Sequence, residues 1–461
     1  MAPVGEAGRI HRACPAFQVL TPEKQELIWL QSAGGPRVAP PSPSDFTERT
    51  MATPPEVLTA PSGSKSRHTS SSAFVITICA LVTVMEGYSL IVYGSVVPLL
   101  LADAHMDIQP DIAGVIGSVV YAGMLVGAFG AGVVGDRMGR KPALVASVTL
   151  FMLGGVASGL SQSALTLGLA RLLAGLGVGG AVTSALALAR DHAPRNRSSL
   201  VVNVTMAGIP LGGVLTAFIG MAVLPRLGWR AMFFIGSALT LVILLATLTL
   251  RPGNVPETAA AARTRSTFRE MFTGRGLLIA VLIAAAAIPN MFTWFGLNIW
   301  LTEIMSRLDY PLTSALMFSM TLTGGAIVGS LLTSWWADLW GAAKVGAVTA
   351  ACTLTGLLGV MLGIRSLPFL VVCIALMGAG AHTTMNLINA AASNLFPAHM
   401  RGTALGWANS SSYVGALGPI AAGLLLQAGL GPYSVFLLYA VSAALCTAVM
   451  TTFAITTRRD A

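Results

Sequence analysis

The sequence predicts an all-α membrane protein of twelve transmembrane helices, arranged as two pseudo-symmetric six-helix bundles. Three observations lead there. The 461 residues are 54% hydrophobic and only 10% charged, against about 25% charged for an ordinary soluble domain. From Ala73 onward, long apolar runs recur to the C-terminus, each about 20 residues or more, the length a helix needs to cross a ~30 Å hydrocarbon core. The second half also repeats glycine and acidic positions of the first at an offset of 202–203 residues, the signature of an internal duplication.

The twelve spans fall near 73–101, 110–134, 142–161, 164–189, 200–224, 230–250, 276–304, 313–336, 344–364, 368–395, 402–427 and 433–456. The first, "VTVMEGYSLIVYG" at its centre, places Glu86 inside an apolar run. A charge at mid-bilayer costs about 2.5–3.5 kcal/mol on insertion scales, so such a residue faces protein and carries function. The second span ends in "GMLVGAFGAGVVGDRMGRK", which aligns with "GGAIVGSLLTSWWADLWGAAK" at the end of the eighth. Gly123 pairs with Gly325, Gly127 with Gly329, Asp136 with Asp338 and Gly139 with Gly341. The fourth span, with Arg171 and "AGLGVGG", matches "MGAGAHT" of the tenth, Gly175 and Gly177 pairing with Gly378 and Gly380. Small residues four apart (Gly123/Gly127, Gly175/Gly179, Gly208/Gly212, Gly325/Gly329) predict close helix contacts, either static or at a moving interface. Residues 73–250 and 276–456 are therefore the two bundles. A basic, mostly polar linker over 251–275 joins them, and 457–461 form a short tail.

A net charge of +9 invites a nucleic-acid reading, but the placement of the charges opposes it. With both termini inside, seventeen basic residues fall on the cytoplasmic side: Lys65, Arg67, Arg137, Arg140, Lys141, Arg190, Arg195, Arg197, Arg251, Arg263, Arg265, Arg269, Arg275, Lys344, Arg401, Arg458 and Arg459. Only Arg226, Arg230, Arg307 and Arg365 fall outside. That bias sets the orientation. Residues 1–72 hold ten of the 24 prolines and no apolar signal core, so they read as a disordered cytoplasmic tail, with Met51 an alternative start. Four of the five cysteines (Cys79, Cys352, Cys373, Cys446) lie in spans and Cys14 in the tail, which implies no disulfide framework.

"GVVGDRMGRKPAL" (132–144) resembles the major facilitator superfamily, whose loop between the second and third helices reads Gly, three residues, Asp-Arg, one residue, Gly-Arg-Arg/Lys. Gly132, Asp136, Arg137, Gly139, Arg140 and Lys141 fit it. The resemblance implies the major facilitator fold and gives Gly132, Asp136, Arg137, Gly139 and Arg140, with Asp338 and Arg401, conformational gating duty, Asp136 meeting a helix N-terminus or a cation across the seam between halves. Arg137, Arg140 and Lys141 read equally well as topology charges. "EGYSLIVYG" and "FPAHMRGTALGW" (396–407) are similar to the aromatic acid:proton symporters, with two departures: Ser89 stands where that pattern has a second acid, and Tyr413 where it usually has Arg. That family implies uptake of a benzoate-like or hydroxybenzoate-like carboxylate with protons. It further implies a monomer in the bacterial plasma (inner) membrane, and no cofactor or metal, the proton gradient being the energy source.

On helical spacing, Thr83, Glu86, Ser89 and Tyr93 form one polar stripe while Tyr88 points elsewhere. Glu86 is the candidate proton-coupling group. Arg171 is a permanent cation whose fork suits a carboxylate, whether the substrate's or that of Glu86. The tenth span offers His382, Met385, Asn386, Asn389 and Ser393 on one face, His382 as a second proton-coupling candidate or a plain interhelical contact. In "PNMFTWFGLN", Asn290, Thr293 and Trp294 are cavity candidates. Trp294 and Tyr93 would offer ring-stacking surfaces. The substrate-binding set is thus Arg171, Ser89, Tyr93, Trp294, Asn386 and Tyr413. An exporter of the same fold and a non-transporting receptor are the competing functions. No His-Glu-x-x-His, Gly-x-Ser-x-Gly elbow or intramembrane Asp dyad points to an enzyme.

Overall fold

Helices dominate because a backbone in lipid must satisfy its own hydrogen bonds. The computed structural model describes residues 72–194, 198–250, 270–397 and 399–458. These lie within one compact unit, His68–Ala461. The expected tail up to residue 71, Met51, Cys14, linker residues 251–269, and Lys65, Arg67, Arg195, Arg197, Arg251, Arg263, Arg265, Arg269 and Arg459 lie outside the described residues.

The first half comprises α1 (Ser72–Ala102), α2 (Pro110–Met138), α3 (Arg140–Leu160), α4 (Ala164–His192), α5 (Ser198–Met206) and α6 (Gly208–Leu248). The second comprises α7 (Gly274–Arg307), α8 (Leu312–Trp340), α9 (Ala342–Met361), α10 (Leu367–Leu395), α11 (Arg401–Ser412), a 3-10 turn over Tyr413–Ala416, α12 (Leu417–Gln427) and α13 (Pro432–Arg458). Ten of the described helices are long and apolar enough to cross a membrane. The difference from twelve spans is one of breaks. Span five starts as α5 and continues into α6, because Pro210 lacks an N–H and crowds the carbonyl of Met206, four residues earlier. Spans five and six then run together as α6, kinked at Gly228, whose φ of 72° leaves the helical region. Span eleven is split in the same way, the ring of Pro419 disturbing the turn at Gly415 and leaving the 3-10 segment.

The duplication is visible in the packing. Gly139 (φ 95°) and Gly341 (φ 87°) form the same tight turn after α2 and after α8, a conformation that favours glycine. A Cβ built on Gly123 would stand 2.5 Å from the Leu172 carbonyl oxygen of α4, and one on Gly325 would stand 2.5 Å from that of Ala375 on α10. Gly175 and Gly378 press back on Val120 and Leu322. Gly208 and Gly212 lie against α1. Every one of these glycine pairs joins helices of a single half, so they are static packing rather than the moving seam.

Among the described residues the seam uses other glycines, from the middle of the helices toward the end carrying Asp103 and Asp309. Gly94 of α1 meets the Asn298 carbonyl of α7. A Cβ on Gly114 of α2 would stand 2.6 Å from the Pro419 carbonyl of α12, and one on Gly213 of α6 would stand 2.6 Å from Thr323 of α8. At the opposite end, marked by Gly139 and Gly341, α11 packs on α7 and α10 of its own half. Gly130 and Gly132 of α2 and Gly402 and Gly406 of α11 face open space there. Among the described residues, the halves are joined from mid-helix to the Asp103 end and parted at the Gly139 end.

Candidate functional site

The first half supplies two buried charges. Arg171 on α4 is 1% exposed, and Glu86 on α1 is 4% exposed. Arg171 Nη2 donates to the Ser89 carbonyl at 3.1 Å and Nη1 reaches Ser89 Oγ at 3.5 Å. Its guanidinium carbon lies 5.4 Å from the Tyr93 ring centroid, within cation–π range. Ser89 follows Glu86 by three residues, so the cation sits about 4.5 Å further along α1 than the acid by helical rise. Among the described residues no ion pair joins them, and Arg171 Nε and Glu86 Oε2 are both buried without a hydrogen-bond partner. An unmet buried polar atom costs about 1–3 kcal/mol. A cationic and an acidic group, each with an unmet atom and set one helical turn apart in level along α1, suit a ligand that brings a carboxylate and a proton.

The predicted stripe on α1 divides. Glu86, Ser89 and Tyr93 share the Arg171 face, but Thr83 Oγ1 donates to the Thr205 carbonyl at 2.5 Å and belongs to the α1–α5 contact. Tyr88 does point elsewhere, its hydroxyl donating to the Met232 carbonyl at 2.8 Å. Tyr93 is not an open stacking surface. It is fully buried, its hydroxyl donates to the Ala113 carbonyl at 2.8 Å, and its ring already faces Arg171.

From the second half, Trp294 on α7 meets His382 on α10, ring centroids 5.3 Å apart. Tyr413 starts the 3-10 turn and is an electrostatic neighbour of Glu86. Asn386, also on α10, is exposed and contacts Ser330 Oγ at 3.5 Å, while Asn389 reaches Asn409 at 3.4 Å. These amides belong to the Gly139-end portion of the helices. Asn290 and Thr293, expected to reach the cavity, are spent on helix contacts: Asn290 Nδ2 donates to the Ala381 carbonyl at 2.9 Å, and Thr293 bonds the Pro289 and Tyr439 carbonyls.

Three participants were not anticipated. Tyr121 of α2 stacks on Phe295 of α7 across the seam, centroids 3.8 Å apart and planes 22° from parallel. Asn298, one turn beyond Phe295, leaves its Oδ1 buried and unpartnered. The aromatic pair carries no sequence signal that separates it from core aromatics. Asn298 does, as an amide inside an apolar run.

At the Gly139 end, the motif residues have separate fates. Gly139 makes the turn, its N–H donating to the Gly135 carbonyl at 3.0 Å. Arg140 pairs with Asp191 at 2.7 Å and donates to the Ala187 carbonyl at 2.5 Å, capping the last turns of α4. Lys141 caps α6 through the Leu248 (2.9 Å) and Leu250 carbonyls. Asp136, Arg137, Asp338 and Arg401 are exposed, and among the described residues none has an ion pair. Among the described residues, the cross-seam contact expected of Asp136 is not formed. Gly132 likewise faces open space.

Comparison with known proteins matches this arrangement to one family. The Major Facilitator Superfamily matches residues 79–415 and 314–461. The gentisate transporter of Corynebacterium glutamicum is 33% identical over 375 residues, covering 78% of this chain and 83% of that protein. The benzoate transport protein of Acinetobacter baylyi is 28% identical over 427 residues, 84% of this chain and 90% of that one. A crystal structure of a D-xylose-proton symporter superposes with a TM-score of 0.70 at 18% identity, covering 83% of this chain and 97% of that one, a likeness of fold.

Proposed function

We infer that this chain, which belongs to the Major Facilitator Superfamily, is a secondary active transporter that takes up a small aromatic carboxylate together with a proton. One observation carries the reading: Arg171, held at Ser89, and Glu86, one turn earlier on the same helix face, are both buried, not paired with each other among the described residues, and each keeps a polar atom unmet. Arg171 is the binding group for the substrate carboxylate, assisted by Ser89. Glu86 is the proton carrier, and neighbouring Tyr413 stands where a base is usual in the symporters this chain resembles. The relatives named for gentisate and benzoate support an aromatic acid as cargo.

Proton coupling follows from energetics. Moving a monoanion inward against an inside-negative potential costs about 2.3 kcal/mol per 100 mV, and one accompanying proton cancels that charge. The Gly139 end is cytoplasmic because Arg137, Arg140, Lys141, Arg190, Lys344 and Arg401 crowd it. Both termini are then cytoplasmic, in a bacterial inner membrane. The closed Asp103 end and open Gly139 end form an inward-facing stage of alternating access, in which the halves rock about the site. The cycle needs no cofactor and runs in a monomer. His382 beside Trp294 serves as an accessory proton group, Asn386 as a polar contact on the release path, and Asp136, Asp338 and Arg401 as partners that engage when the Gly139 end closes.

Counterflow in proteoliposomes with labelled benzoates, hydroxybenzoates and aliphatic acids tests the cargo. Aromatic acids exchange on this reading, and exchange of aliphatic acids alone removes it. Accumulation driven by an imposed inward proton gradient tests the direction. Net efflux under that gradient identifies an exporter instead.

A further inference from the structure

The buried, unmet oxygen of Asn298 lies in the part of the site that Arg171 does not reach. Asn298 is 8% exposed, and its Nδ2 donates to the Trp294 carbonyl at 2.7 Å, which folds the side chain back along α7. Helical spacing sets it one turn from both Phe295, stacked on Tyr121, and Trp294, against His382. Nδ2 thus has a partner, whereas the acceptor Oδ1 has none. A buried acceptor without a donor selects for a ligand that brings one.

Its depth is set by α1. The Asn298 backbone meets Gly94, five residues beyond the Ser89 level at which Arg171 is held, so cation and acceptor are separated along the helix axis by no more than about 7.5 Å. The Tyr121–Phe295 pair, Phe295 one turn before Asn298 on α7, lines this stretch with aromatic surface suited to the edge of a flat ring. We propose that Asn298 is a specificity residue that accepts a hydrogen bond from a ring hydroxyl, remote from the carboxylate, on a hydroxylated aromatic acid bound to Arg171. This rests on the aromatic-carboxylate reading above. A hydroxyl meta or para to the carboxyl reaches the acceptor, and one ortho to it stays beside Arg171.

The test is competition in proteoliposomes between benzoate and 2-, 3- and 4-hydroxybenzoate, for the unaltered protein, Asn298→Leu and Asn298→Ser. The unaltered protein prefers a 3- or 4-hydroxyl over none by about tenfold or more, the discrimination a dedicated hydroxyl contact supplies. Asn298→Leu abolishes that preference while retaining benzoate exchange, and Asn298→Ser, which keeps an oxygen acceptor, retains part of it. An unchanged preference in Asn298→Leu, or equal loss of benzoate and hydroxybenzoates in both variants, overturns the assignment and leaves the aromatic-acid reading standing. Failure of every aromatic acid to compete in the unaltered protein removes that reading, and this inference with it.

Discussion

The proposed mechanism rests on Glu86 and Arg171 because each keeps one buried polar atom without a partner, Glu86 Oε2 and Arg171 Nε. Glu86→Gln keeps the shape and removes the titrating proton. It is expected to abolish accumulation driven by a proton gradient while leaving substrate counterflow measurable, and accumulation at the original level would take Glu86 out of coupling. Arg171→Lys keeps a charge but loses the planar fork and the reach to both Ser89 oxygens. Substrate affinity is expected to fall about tenfold or more, the loss of a charge-assisted hydrogen bond of about 1.5–3 kcal/mol, read as a shift in half-saturating concentration during counterflow.

Between elements, the loops of the Asp103 end are tied by one cluster. The Trp229 indole donates to Asp103 Oδ2 at 3.0 Å, Arg230 Nη1 lies 3.5 Å from the same oxygen, and Arg230 Nη2 donates to the Ser161 carbonyl at 3.2 Å. The Trp229 hydrogen bond, helped by the His105 N–H and Arg230, holds the Asp103 carboxyl below the usual aspartate range. A depressed carboxylate contributes stability that is fully present above its ordinary value, about pH 4, and is lost as pH falls through its lower folded value. Thermal stability in detergent is therefore expected to show no loss from this cluster between pH 7 and about 4, and a decline below. Asp103→Asn should remove that acid limb and lower the melting temperature at pH 7 by about 1–2 °C, since the group is partly exposed and screened. An unchanged acid limb in the variant would assign it to other carboxylates.

Across the whole molecule, closure at the Asp103 end depends on backbone meeting backbone. Gly94 rests on the Asn298 carbonyl, so Gly94→Val cannot close there without displacing α7. The variant is expected to populate the outward-open arrangement, making a cysteine introduced as Ser118→Cys, buried one helical turn from the seam residue Gly114, reactive toward an impermeant thiol reagent added from the Asp103 side. Counterflow should drop in parallel. Gly127→Val, which disturbs an α2–α4 contact inside one half, should lower the melting temperature without exposing that cysteine. Equal labelling of the two variants would show that the Gly94 contact does not set the facing state.

Hydropathy, the repeat and the motif turn were legible in the chain because each is written in local chemistry: apolar length for a span, glycine for φ 95° at Gly139 and φ 87° at Gly341. Glu86 and Arg171 were legible too, since a charge within an apolar run stands out wherever the run folds. Tertiary structure alone decided that the two are unpaired, that Thr83 and Asn290 are spent on neighbouring helices, that Tyr121 meets Phe295, and that Asn298 keeps a free acceptor. It also decided which end is closed. Those outcomes depend on contacts between residues far apart in sequence, such as the 204 positions from Gly94 to Asn298, and a hydrogen bond is won by whichever partner packing brings nearest, which no local pattern encodes.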